Sequence, residues 1–118
     1  MTDGKQYYKE TYSSLEDFFP FYMTQHRCKI NRTLHTIGTL LGVVIWIIAL
    51  LTGNFKLILL GLAVGYAFAW TGHFFFEHNK PATFKFPIYS FLSDFKMCKL
   101  VLTGQADDYY KRLGISQY

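Results

Sequence analysis

Two long uncharged runs, Thr33 to Phe55 and Leu57 to Phe76, follow one another with only a short Thr52-Gly53-Asn54 turn and Lys56 to separate them. Each run is near the ~20 residues that a hydrocarbon core demands of a helix. Lipid offers a backbone amide no partner, so both runs are read as helical, antiparallel spans. The first begins some 30 residues in, after a charged and aromatic leader, so the first span is itself the insertion signal and no cleavable signal peptide precedes it. A chain of 118 residues makes at most one small domain. With 51% hydrophobic and 19% aromatic content gathered into adjacent runs, lipid rather than water is its expected solvent.

The expected fold class is an all-α membrane protein, a transmembrane helical hairpin of two spans (about 33–52 and 55–77) flanked by interfacial amphipathic helices (about 14–27 and 87–103). These lie in one membrane domain, 13–104, between a loose polar leader, 1–12, and a polar C-terminal segment, 105–118, with a short helix from about Gln105 to Leu113. Ser13 with Glu16 reads as a capping box for the first helix, and Asn31 as the N-cap of the first span. Pro20 either kinks the first helix or falls in its first turn. Asn79 and Pro81 stop the second span, Pro87 starts the third helix and Gly104 ends it.

Charge orients the hairpin. Eleven of the twelve Lys and Arg residues, all but Lys56, lie outside the turn, which puts both termini in the cytoplasm of a multi-pass integral membrane protein. That membrane is the endoplasmic reticulum in a eukaryote and the inner membrane in a bacterium. The net charge of +4 hugs the span ends, and no nucleic-acid module is present, so membrane lipid and not nucleic acid is the expected counter-charge. Cys28 and Cys98 fall on the reducing side and read as buried thiols rather than a disulfide.

The hairpin also carries a packing code. Gly38 and Gly42 in the first span, and Gly61, Gly65 and Ala69 in the second, have the spacing that lets membrane helices approach closely. Counted outward from the turn, Gly42 pairs with Gly65, Gly38 with Ala69, and His35 with Gly72 and His73. His35 lies 18 residues before Gly53 and His73 lies 19 after Asn54, so the two imidazoles reach nearly one depth, on the seam face of each helix. His26 and His78 flank them, which puts all four histidines at one end of the hairpin. His78 is five residues beyond His73, roughly 140° off the seam face, and reads as solvated. Glu77, one turn beyond His73, either ligates a metal or orients a ligand imidazole.

An ionisable group in a membrane seam is a functional candidate by default. Several imidazoles with at most one carboxylate suit iron(II), zinc or copper, and imidazoles that leave open positions are the arrangement of iron-dependent oxygen chemistry. The di-iron desaturases and hydroxylases need about eight histidines, and this chain has four. No serine or cysteine has local support as a nucleophile, and no Gly-rich phosphate loop is present.

A resemblance spans roughly Phe18 to Gly104. It is carried by Phe21-Tyr22 with His26, Asn31-Arg32-Thr33-Leu34-His35-Thr36-Ile37-Gly38-Thr39, Gly65-Tyr66, Ala69-Trp70, Gly72-His73-Phe74-Phe75-Phe76-Glu77, Asn79-Lys80-Pro81-Ala82-Thr83-Phe84 and Ser93-Asp94-Phe95-Lys96-Met97. The joint pattern resembles a family of small membrane proteins that includes the fungal 2-hydroxy fatty acid dioxygenase of phytosphingosine α-oxidation. The fungal-type enzymes are longer, and the Thr83-Phe84 and Asp94-to-Met97 pieces belong to a shorter branch.

The resemblance implies an Fe(2+)-dependent dioxygenase that shortens 2-hydroxy fatty acids by one carbon with O2. His26, His35 and His73 are then the metal ligands and Glu77 the catalytic candidate, completing the shell or orienting an imidazole. Asn31, Lys80 and Lys96 are the substrate-binding candidates, the lysines by attracting the carboxylate. Two other classes stay open, a non-catalytic scaffold or lipid-sensing hairpin and a zinc-dependent lipid hydrolase. Two spans are thin for an enzyme, so self-association into a homo-oligomer also stays open.

Overall fold

The computed structural model describes residues 2–118. Five α-helices carry the fold: α1 (Leu15–Thr24), α2 (Lys29–Thr52), α3 (Lys56–Thr71), α4 (Pro87–Leu102) and α5 (Ala106–Leu113). The third continues without a break into a π-helical segment, Gly72–Glu77. Among the described residues the only strand-like pairing is one bridge between Thr2 and Ile115.

Helix α2 (24 residues) and the continuous Lys56–Glu77 helix (22 residues) are each long and apolar enough to cross a membrane. Only 28% and 22% of their most apolar windows are buried, unlike the core helices of a water-soluble protein, and Leu50, Leu51 and Leu59 are more than two-thirds exposed. The two pack antiparallel, but their register differs from a symmetric count by one helical turn. A Cβ on Gly42 would come within 3.1 Å of the Gly61 carbonyl oxygen, and one on Gly38 within 3.0 Å of the Gly65 carbonyl oxygen. Gly42 therefore faces Gly61 rather than Gly65, and Gly38 faces Gly65 rather than Ala69. The cause lies at the turn. Gly53, left-handed at φ 70°, folds the chain back beside the fully buried Ala49, and Trp46 Nε1 donates to the Ile58 carbonyl at 3.0 Å. Helix α3 thus starts alongside the last turn of α2, not beneath it.

Beyond the hairpin, α1, α4 and α5 form a head whose core holds Phe18, Phe19, Tyr22, Met23, Met97, Tyr110 and Ile115. The aromatics of α1 are covered here by protein. Ser14, not Ser13, caps α1: its side chain accepts from Asp17 N at 3.1 Å, while the Asp17 carboxylate takes Ser13 N at 3.2 Å. Pro20 lies inside this helix, and Pro87 occupies the start of α4. Helix α2 begins two residues before Asn31, with Cys28 at its N-cap. The leader is not loose. Ser116 N and Thr2 O are 2.7 Å apart, and Gly4 is buried against Thr24 and Ile115.

Candidate metal centre

Three elements deliver three imidazoles to one point. His26 comes from the loop between α1 and α2, His35 from α2 and His73 from the π-helical segment, and all three are at least 96% buried (4% exposed or less). Their ring centroids lie 4.4, 4.6 and 4.9 Å apart, and one ligand nitrogen from each falls within 4.8 Å of the others. His35 and His73 meet despite the shifted register because helical side chains lean toward their own N-terminus. In antiparallel helices the two lean toward each other.

Hydrogen bonds fix the tautomer of each ring. His26 Nδ1 lies 2.7 Å from the Tyr22 carbonyl and His35 Nδ1 lies 3.0 Å from the Asn31 carbonyl. A carbonyl only accepts, so both Nδ1 atoms carry the proton. His73 Nδ1 lies 2.7 Å from Asn79 Oδ1, whose amide is oriented by Nδ2 donating to the Gln25 carbonyl at 3.0 Å. The third Nδ1 is a donor too. In the neutral ring each Nε2 is then a lone pair, and those of His26 and His35 stand 3.1 Å apart. Two lone pairs at that distance repel unless a cation lies near both. Burial, then the neighbouring His35 and His73, push the His26 pKa well below the ordinary imidazole range, so a shared proton is disfavoured as that cation. The donor set fits a borderline metal ion, with each ligand's far nitrogen anchored to oxygen as metal-bound histidines are.

Glu77 spends its carboxylate on the protein. One oxygen accepts from Cys28 N at 2.9 Å and Asn31 Nδ2 at 3.1 Å, and the other from the Tyr118 hydroxyl at 2.9 Å. It satisfies the amide of Cys28, the N-cap of α2, and fixes Asn31, whose carbonyl holds His35. Asn31 is fully buried, and its Oδ1 faces Gly72 with no donor. Lys80 and Lys96 are exposed, and neither lines the cavity at the triad. Lys96 Nζ sits over the Phe19 ring, 4.4 Å from its centroid. His78 is exposed at φ 59°, where the chain reverses.

Several contributors carry no spacing signal. The ring of Tyr22 stacks on His26 at 4.1 Å between centroids, and its hydroxyl donates to Asp94 Oδ1. Asp94 borders the triad cavity, and burial pushes its carboxyl up to about 7 against the smaller downward pull of that hydrogen bond. The buried Arg32 donates to the His26 carbonyl at 2.6 Å and to Gln117 at 2.5 Å, with its guanidinium over the Tyr110 ring. Tyr110 places its hydroxyl 2.7 Å from the carbonyls of Met23 and His26. The C-terminal segment thus straps down the loop that presents His26. Asn79, Arg32 and Asp94 all lie within the motif pieces of the resemblance; Tyr110 lies outside them.

Fold and site together define a helical-hairpin protein whose buried three-histidine cluster could hold a metal ion. The chain belongs to the Mpo1-like family: the family model described as 2-hydroxy-palmitic acid dioxygenase Mpo1-like matches residues 12–106. No curated protein and no solved structure matches the chain.

Proposed function

We propose that this chain is a membrane-embedded, iron(II)-dependent dioxygenase that shortens 2-hydroxy fatty acids by one carbon. The observation that carries the reading is the convergence of three buried imidazoles, each ring pinned to an oxygen through Nδ1. The family description supplies the substrate class. His26, His35 and His73 would hold iron(II), which would supply the one-electron chemistry that activates dioxygen. With O2 as sole oxidant the balance is R–CH(OH)–COOH + O2 → R–COOH + CO2 + H2O, in which the C1–C2 bond breaks and four electrons pass to dioxygen.

The chain's own residues hold and exclude. His26, His35 and His73 present the ligand nitrogens, and Tyr22, Asn31 and Asn79 keep them facing inward. Glu77 is a positioning residue that acts through Asn31. The Asp94 carboxylate, whose Oδ1 takes the Tyr22 hydroxyl, offers Oδ2 to the 2-hydroxyl proton of a substrate in the cavity. Lys80 and Lys96, exposed outside the cavity, draw the substrate carboxylate to this end of the hairpin. The eleven-to-one cation asymmetry supports placing that end, with both termini, at the cytoplasmic face.

The test is elemental analysis of protein purified without oxygen, combined with oxygen uptake on 2-hydroxypalmitate. Stoichiometric iron and one O2 consumed per CO2 released are expected. Stoichiometric zinc without oxygen uptake, or a protein that takes up no metal when reconstituted, ends the reading.

A further inference from the structure

The triad cavity is not closed toward the stem. It shares His35, Tyr66, Ala69 and Asp94 with a half-open groove between α2, α3 and α4. The floor of the groove is backbone at Gly38, Gly42 and Gly65, Phe91 and Phe95 wall it from α4, and Trp46 lies at its far end. We propose that this groove seats the alkyl tail of the substrate and that Trp46 is the stop that sets chain length. The identity of the head group rests on the dioxygenase reading; the seat itself does not.

Three observations carry it. Gly38 is glycine because nothing else fits: a Cβ there would lie 2.7 Å from Phe68 Cβ. At Gly65 a Cβ would make only an ordinary 3.7 Å contact with the Gly38 carbonyl, so close helix approach does not require that glycine. What its missing side chain leaves is groove. Second, Asp94 is the one charged residue on the lining and it stands at the triad end, so a polar head and an apolar tail can bind in one orientation only. Third, the length matches. From His35 to Trp46 is eleven residues, ~16 Å of helix, and with a ~1.5 Å C–C bond a zigzag chain advances roughly 1.3 Å per methylene. The groove therefore takes about a dozen methylenes beyond the head. Trp46 is a firm end, since its Nε1 is bonded to the Ile58 carbonyl and its ring packs on Phe91 at 6.0 Å.

The experiment uses a 2-hydroxy acid of palmitate length with a photoreactive diazirine at its tail end, irradiated with the full-length protein in detergent and mapped by mass spectrometry. Label is expected at Val43, Trp46 or Phe95, suppressed at least fivefold by excess 2-hydroxypalmitate and not by a phospholipid of equal tail length. Label on the outward residues Leu40, Val44 and Ile47, or equal suppression by the phospholipid, overturns the proposal by making the groove a generic lipid contact. Two variants add a ruler test in the same competition format. Val43→Phe should shift the best-competing acid shorter by about three carbons and Trp46→Ala should shift it longer, both with wild-type metal content. An unchanged optimum in both also overturns it. Labelling needs no turnover, so groove-directed label without oxygen uptake would sink the dioxygenase reading and leave the tail seat standing.

Discussion

Toward the turn from His35, the two long helices meet through glycine backbones and leave their leucines and isoleucines exposed. Away from it, the same chain buries an arginine, an asparagine, two serines and three histidines among aromatic rings. Apart from the Trp46 indole on the Ile58 carbonyl, the stem satisfies its backbone amides within each helix and leaves its apolar surface to an outside solvent, as a membrane segment does. The head covers its own apolar surface and spends long-range hydrogen bonds to hold polar side chains where water is excluded. The candidate metal site belongs to the head, because three buried imidazoles converge there.

The comparison breaks most completely if the triad is removed. His26→Ala, His35→Ala and His73→Ala should each lose nearly all bound metal and all oxygen uptake, whereas the exposed His78→Ala should keep both. Metal analysis beside circular dichroism on the folded variants measures this. Full metal in His35→Ala and His73→Ala would make the head a packing accident.

Gly72→Ala strikes the head without touching a ligand. Its Cβ would run into the Asn31 carboxamide, which Glu77 holds and whose backbone carries His35. Overpacking of this kind costs ~1–3 kcal/mol, and displacing the support of a metal ligand costs about 10–100-fold in affinity. Wild-type metal affinity in Gly72→Ala would show that Asn31 does not position His35.

In the stem the corresponding contrast is smaller and purely steric. Gly38→Ala meets Phe68 Cβ and the Gly65 carbonyl and should destabilise by ~1–3 kcal/mol. Gly65→Ala should stay within about 0.5 kcal/mol. Equal losses in thermal unfolding of the two would mean that the register, and with it the account of the groove, is wrong.

That register marks where the sequence stops speaking. Two uncharged runs of bilayer length can only be helices, and the depth of His35 and His73 follows from counting. Whether Gly42 meets Gly61 or Gly65 depends on how Gly53 folds the chain past Ala49, a matter of a few atoms at the turn. Tyr110 and Gln117 are illegible for another reason: each acts across some 80 residues, on His26 and Arg32 respectively, from a C-terminal segment whose polar composition reads as solvated. Asn31 looked like a cap because caps and buried anchors use the same amide. Asp94 falls in a segment that reads as an interfacial amphipathic helix, and only the packing of α4 over the groove brings it to the triad cavity.

Asp94 gives the smallest effect and the finest test of the head as a dry compartment. Its folded pKa is raised to about 7 by burial, against ~3.9 for an unfolded aspartate. The folded state keeps the proton through a range where the unfolded chain has lost it. Its contribution to stability is therefore complete below about pH 4, declines as pH rises from about 4 to about 7, and is lost above. Asp94→Asn holds a neutral amide throughout. The difference in melting temperature between metal-free variant and wild type should start near zero at pH 4.5, grow in the variant's favour and level off above about pH 7, with the titration of the histidines cancelling between the two. A difference that stays flat from pH 4.5 to 8.5 would place Asp94 in a wet site, and the sharp division between an outward-facing stem and a sealed head would not hold at the wall they share.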